Sequence, residues 1–120
     1  MIALALMLAA AAQVPTNSRI VAFESGNSLL QACTASEMEA VYYQYMSKCS
    51  SYISGAHDAY NLVKSMKGPG YFCSSTDLTL GQVRDVTIKF LKDHPELRHY
   101  GAANIVASAL REAFPCATQR

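Results

Sequence analysis

The sequence predicts an all-α protein, a small bundle of about four helices stapled by two disulfides. Apolar side chains recur at helical spacing along most of the chain, and no stretch shows the strict alternation that is typical of a half-buried strand. The cysteines are even in number and lie far apart in the sequence. A chain of 120 residues is long enough for one domain with one modest core.

Residues 1–12 form an apolar segment without a charged side chain. The segment is too short to span a bilayer, for which about 20 apolar residues are needed. It is typical of the apolar region of a secretory signal, and the alanines at 10–12 suit cleavage. The usual basic region is missing, so either the α-amino group supplies the charge or the true start lies upstream. We expect a signal peptide over 1–12 and a mature tail over 13–25; a buried N-terminal helix is the alternative.

Two helices are predicted in the first half of the chain. A short one begins near Gly26 and ends near Cys33. Ser36 is expected to cap a long second helix, roughly Glu37 to Met66, in which apolar residues recur at helical spacing. Gly55 lies inside this helix, where a glycine costs about 1 kcal/mol relative to alanine. We therefore expect a close helix crossing at Gly55.

Two further helices are predicted in the second half. Thr79 followed three residues later by Gln82 is the pattern of a capping box. Pro95 should end this third helix, because proline disfavours helical geometry in the residue before it. The last helix is expected to begin at about residue 100–102 and to end at Ala113.

The four cysteines indicate two disulfides in an exported chain. A zinc site would usually show close pairs such as CxxC, and the sequence has none. Four cysteines allow three pairings, of which we favour Cys33–Cys49 with Cys73–Cys116. These close loops of about 17 and about 44 residues, and the chain-entropy model gives each roughly 3–4 kcal/mol of stability.

The histidines and carboxylates of the chain are the candidates for an active site, and we interpret them as structural. His94 and His99 lie five residues apart across a proline, unlike the single helical face of HExxH. Asp85 and Asp93 are about 12 Å apart along a helix, which is wider than the roughly 5–9.5 Å of an acid–base carboxylate pair. Asp58, next to a histidine, is more typical of a surface carboxylate than of a general base. We predict no catalytic residue and no enzyme.

Composition excludes further classes of function. The formal net charge is +1, and basic and acidic residues are interspersed without a basic stripe. This disfavours a nucleic-acid partner. After the signal, no apolar segment is long enough to anchor the chain in a membrane. There is no GxSxG elbow, no glycine-rich phosphate loop and no metal-ligand spacing, so no cofactor and no metal are expected.

Several sequence segments occur together in an order that resembles a known family. They are GNSLLQAC from Gly26, CSSYISGAHDA from Cys49, FC at Phe72, TLGQVRDVTIKFLKDHPELRH from Thr79, and AL-EAFPC from Ala109. Together they resemble the Rap/Tai family of immunity proteins, which neutralise amidase effectors of the bacterial type VI secretion system. The resemblance covers 26–116, and its most specific part is GQxxDVxxxxLxxHPExRH. The family's usual Pro-containing turn after FC is here Ser74-Ser75-Thr76-Asp77.

The resemblance implies a periplasmic, homodimeric protein without catalysis of its own, which binds a peptidoglycan amidase and occludes its active site. It also implies that the shared polar residues fix the junction between the last two helices. These junction residues are Asp85, His94, Pro95, Glu96, Arg98 and His99. The alternative is a stand-alone periplasmic stress or chaperone-like helical protein that has no cognate effector.

The partner-binding surface is expected on the loop after the long helix, since specificity needs surfaces that can vary without disturbing the core. Cys73 would pin the far end of this loop and so lower the cost of ordering it. The predicted contact residues are Lys67, Gly68, Pro69, Gly70 and Tyr71. A cluster of tyrosines at 42, 43 and 45 on the long helix is the alternative surface.

Overall fold

Four α-helices and one short 3-10 helix form the part of the chain that the computed structural model describes, residues 22–66 and 71–117. The helices are α1 (Gly26–Cys33), α2 (Tyr42–Ser65), α3 (Leu80–Asp93) and α4 (Ala102–Ala113), with the 3-10 helix at Pro95–Leu97. The described residues contain no strand, and a single isolated bridge pairs 25 with 101. The all-α prediction is confirmed. The predicted signal segment and loop residues 67–70 lie outside the described residues.

Side-chain caps explain where two of the helices begin. The Ser25 hydroxyl accepts the Ser28 N–H at 3.2 Å and caps α1. At the start of α3, Thr79 Oγ1 accepts the Gln82 N–H at 3.2 Å, and Gln82 Oε1 accepts the Thr79 N–H at 2.8 Å. This reciprocal pair is the predicted capping box.

The start of α2 differs from the prediction. The helix begins at Tyr42 rather than at Glu37. The Ser36 hydroxyl accepts the Met38 N–H at 3.2 Å, and a Glu39 carboxylate oxygen accepts the Ser36 N–H at 3.0 Å. These local bonds satisfy the backbone in a separate turn, and serine and glutamate side chains compete with helix formation in this way. The capping signal is real, but it closes a turn instead of opening the helix.

The close backbone approach lies at Gly26, and the crossing predicted at Gly55 is wrong. Gly55 is exposed, and a Cβ added there would have no atom within 4 Å. At Gly26 an added Cβ would lie 2.9 Å from the Arg98 carbonyl oxygen and 3.1 Å from Leu91 Cδ2. The first turn of α1 therefore lies against the link between α3 and α4, where only a hydrogen fits.

The core takes residues from all four helices. Fully buried apolar side chains are Leu29 of α1, Ile53 of α2, Leu91 of α3, and Val106 and Leu110 of α4. The one polar residue classed as buried within the described chain is a threonine of α3, whose hydroxyl donates to the carbonyl four residues earlier at 2.8 Å. Its polar group is thus satisfied within its own helix.

Both favoured disulfides are confirmed. Cys33–Cys49 joins the end of α1 to α2 with both cysteines buried, and its Cα atoms are 5.0 Å apart. Cys73–Cys116 joins the segment before α3 to the chain after α4, with both cysteines exposed and Cα atoms 4.8 Å apart. The N–H of Cys73 also donates to the Phe114 carbonyl at 2.9 Å. The described part of the chain contains no unpaired cysteine.

Candidate partner-binding site

The junction between α3 and α4 is organised by Arg98. Its guanidinium Nε donates to the Leu91 carbonyl, and Nη2 donates to the Lys92 carbonyl at 3.3 Å. These bonds satisfy carbonyl groups at the end of α3 that have no partner inside the helix. The Arg98 carbonyl in turn accepts the Asn27 N–H of α1 at 2.8 Å. One residue therefore connects the end of α3 to the start of α1.

His94 links three elements at the same junction. Its ring lies on Phe90 of α3, with centroids 4.3 Å apart. Its Nδ1 is 3.2 Å from Glu96 Oε1, and its Nε2 is 3.5 Å from Glu112 Oε2 of α4. The pKa of Glu96 is lowered, first because its own backbone N–H bonds the carboxylate and then because of the bond with His94.

The remaining junction residues have different surroundings. Pro95 opens the 3-10 helix. His99 is exposed, with its ring on Tyr100 at a centroid distance of 4.2 Å. Asp85 is exposed early in α3, where its carboxylate lies 3.6 Å from Arg84 Nε. The structure brings His94, Glu96 and Arg98 to the junction but leaves Asp85 on the open side of α3.

A histidine–aspartate pair on α2 is an arrangement of a kind that catalytic sites use. His57 Nδ1 is 3.1 Å from Asp58 Oδ1, and the same ring is stacked on Phe72. The hydroxyl residues 74–76 line a shallow cavity with His57, a neighbourhood that the sequence did not reveal. The hydrogen-bond partners of the ring in the described chain are Asp58 and Asn61, whereas an activated nucleophile must be bonded to its base. The pair therefore secures Phe72 against α2.

Metal ligation has no support in the described ranges either. Residues 22–66 and 71–117 contain no group of three or more histidine, cysteine, aspartate or glutamate side chains that could hold a metal ion. Within the same ranges, no helix combines the length and the apolar character that a membrane crossing requires.

Tyr71 is the described member of the predicted binding loop. It is 46% exposed, and its ring packs edge to face on Tyr60 of α2 with centroids 5.1 Å apart. The next residue, Phe72, is only 4% exposed and lies in the core. Cys73 then fixes the segment to the C-terminal end through its disulfide. Tyr71 thus stands at the surface on a firmly held backbone, and Lys67 to Gly70 lie outside the described residues.

An exposed apolar surface lies at the end of α2. Leu62 is 59% exposed, Met66 is 74% exposed, and Val63 is also exposed. The reason is length: α2 has 24 residues and spans about 36 Å, whereas α4 has 12 and spans about 18 Å. The last turns of α2 therefore lack a covering helix, and exposed apolar patches of this kind mark interaction sites.

These features define a small, disulfide-stapled helical domain that presents an apolar helix end and a pinned tyrosine. The family model of the Rap1a immunity proteins matches residues 25–116, and the chain belongs to this family. The comparison with curated proteins gave no match. Family membership indicates an immunity protein against a secreted effector, in a family that is generally non-enzymatic. With the two disulfides, it indicates an exported protein.

Proposed function

We propose that this chain is a periplasmic immunity protein that binds a peptidoglycan amidase effector of the type VI secretion system and occludes its active site, without catalysis of its own. The family match over residues 25–116 carries the proposal. The two disulfides support the periplasm as the compartment, because such bonds persist in oxidising surroundings.

The loop from Lys67 to Tyr71 is the proposed contact with the amidase. Phe72 is buried directly after it, and the Cys73 disulfide holds the following backbone. A held segment loses less freedom on binding, which saves about 0.5–1.5 kcal/mol for each side chain that would otherwise be immobilised. Tyrosine is also one of the residues enriched among binding hot spots.

A homodimer is part of the proposal. Gly55, Ala59, Leu62 and Met66 are all exposed and lie at spacings of three or four residues, which places them on one face of α2. Small and apolar residues on such a face allow a second helix to approach closely. A homodimer interface is more apolar than the rest of a protein surface. A second copy packed on this face would cover the uncovered end of α2.

The test uses the mature chain and the amidase encoded beside it in the same genome. We expect a stable complex by calorimetry and loss of the amidase's activity on peptidoglycan fragments. A variant with Gly68→Ser, Pro69→Ser, Gly70→Ser and Tyr71→Ser together should keep its helical content and lose inhibition. Absence of binding to any amidase of the organism would favour a stand-alone periplasmic protein, and full inhibition by the variant would place the contact elsewhere.

A further inference from the structure

A groove lies between the tyrosine pair and one face of α4. It encloses about 160 Å³ and is lined by Tyr60, Tyr71, Asn104, Ala107, Ser108 and Arg111. The four residues of α4 follow one another at spacings of three, one and three residues, which places them on a single face of the helix. Ala107 is nearly buried and forms the floor, whereas its neighbours in the groove are more exposed.

The polar groups of this groove are suited to donating hydrogen bonds. Arg111 is the one charged residue among the six, and a guanidinium has five N–H donors and no acceptor. Burial first, and then the nearby Tyr71 and Tyr52, raise the pKa of Tyr60. Its phenol therefore stays protonated at neutral pH and can donate. The side-chain amide of Asn104 adds further donors.

Arg111 has no acidic partner in the described part of the chain. The ion pairs of these residues involve Lys48, Arg84, Lys89 and histidines. The adjacent Glu112 directs a carboxylate oxygen towards His94 Nε2, at 3.5 Å. The Arg111 guanidinium therefore lies in a groove of hydrogen-bond donors without an acidic partner among the described residues. Such a group is complementary to a carboxylate, which it can bind through two parallel hydrogen bonds.

The size of the groove limits the ligand further. Sites for drug-sized molecules enclose about 300–1,000 Å³, and this groove encloses about 160 Å³. Its volume matches one side chain better than a nucleotide or a cofactor. Its aromatic wall and alanine floor suit an aliphatic stem, and its donors suit an acidic end.

We propose that this groove receives a protruding aspartate or glutamate side chain of the protein partner, with the carboxylate on Arg111 and the aliphatic stem against the wall formed by the Tyr60–Tyr71 pair. The identity of that partner, an amidase effector, rests on the proposed function. The groove adds a charged contact beside the binding loop. A partner that has an acidic residue at the matching position of its surface would bind, and a partner without one would bind less well.

The direct experiment measures the affinity for the amidase of Arg111→Gln and Arg111→Lys variants. Arg84→Gln is the matched control, because Arg84 is a partly exposed arginine of α3 that does not line the groove. We expect Arg111→Gln to weaken binding at least about tenfold, Arg111→Lys less, and the control less than about twofold, since charged contacts with good geometry are the strong ones. Changing each acidic surface residue of the amidase to lysine should identify one position that restores binding to Arg111→Glu. Affinity within about twofold of the parent for both Arg111→Gln and Arg111→Glu would overturn the proposal.

A second experiment does not depend on the amidase. The isotopically labelled chain is titrated with the acetylated, amidated peptide Gly-Glu-Gly, and with Gly-Gln-Gly as its neutral match. NMR signals of Arg111 Nε and of the Tyr60 and Tyr71 rings should shift with the glutamate peptide and not in Arg111→Gln. Equal shifts with both peptides, or none with either, would overturn the groove as a carboxylate site even if the amidase binds elsewhere. A shift in this titration without any amidase binding would instead refute the proposed function alone.

Discussion

An alanine at Gly26 would place its Cβ 2.9 Å from the Arg98 carbonyl oxygen, 3.0 Å from Arg98 Cα and 3.1 Å from Leu91 Cδ2. The Arg98 backbone cannot yield easily, because its carbonyl also accepts the Asn27 N–H at 2.8 Å. Overpacking of this kind costs about 1–3 kcal/mol. Alanine recovers up to about 1 kcal/mol of helix propensity. With the full propensity gain the net loss in the free energy of unfolding is about 0–2 kcal/mol, and with a smaller gain it approaches about 3 kcal/mol.

The matched control is alanine at Gly55, where an added Cβ meets no atom within 4 Å. Within a single copy of the chain only the propensity gain remains there, so at a concentration where the chain is monomeric this variant should be more stable by about 0.5–1 kcal/mol. The measurement is urea and thermal unfolding followed by far-UV circular dichroism with the disulfides intact. One kcal/mol corresponds to about 4–8 °C in Tm for a domain of this size, and the two variants should move in opposite directions. A Gly26→Ala variant as stable as Gly55→Ala would refute the close approach of α1 to the junction.

Three further outcomes are expected. Arg98→Ala removes donors from the end of α3, and urea unfolding should show a loss of about 1.5–3 kcal/mol, because the part-buried bond to the Leu91 carbonyl contributes about that much and the exposed bond to the Lys92 carbonyl adds little; a loss below about 0.5 kcal/mol would count against its role. A small thiol reductant should open the exposed Cys73–Cys116 bond before the buried Cys33–Cys49 bond, as judged by alkylation and peptide mapping; the reverse order would contradict the packing described for them. The folded-state pKa of Glu96 is depressed, so its contribution is complete above the pKa of an unfolded glutamate, about 4.3, and is lost as the pH falls through the lower folded value. Glu96→Gln should therefore unfold with a weaker dependence on pH below about 4.3, and an unchanged pH profile would show that the carboxylate is not linked to folding.

Local signals in the sequence identified most of the fold. The bounds of α1, α3 and α4 were predicted, because caps and proline stops act within a few residues of the helices that they define. The favoured disulfide pairing is also confirmed, although its cysteines are 16 and 43 residues apart and three pairings were possible. The start of α2 was misplaced because Ser36 bonds its own turn, a choice that residue types alone do not determine. A glycine in the sequence likewise does not show what lies next to it in the fold. A Cβ added at Gly55 would contact no atom, whereas a Cβ added at Gly26 would collide with the Arg98 backbone.

The candidate site could be predicted only in part. Tyr71 followed from the breakers around the loop, and its exposure agrees with a surface role. The groove beside it combines residues from α2, the segment after residue 70 and α4. In the sequence Arg111 is one of ten lysines and arginines, and nothing local indicates that it shares a groove with Tyr60 and Tyr71. Such a site exists only through tertiary packing.

The residues that stabilise this fold and the residues that are proposed to bind a partner lie in different parts of the molecule. Backbone atoms approach closely where the first turn of α1 meets the link between α3 and α4, and Gly26 leaves no space for a larger residue beside Arg98. Residues 61–66 of α2 are all exposed. Substitutions there remove little buried area, and hydrophobic stabilisation scales with the area that is removed from water. By the same argument, exposed residues of the proposed effector-binding surface, Tyr71 and Arg111 among them, can vary with the partner, while the junction keeps the scaffold constant.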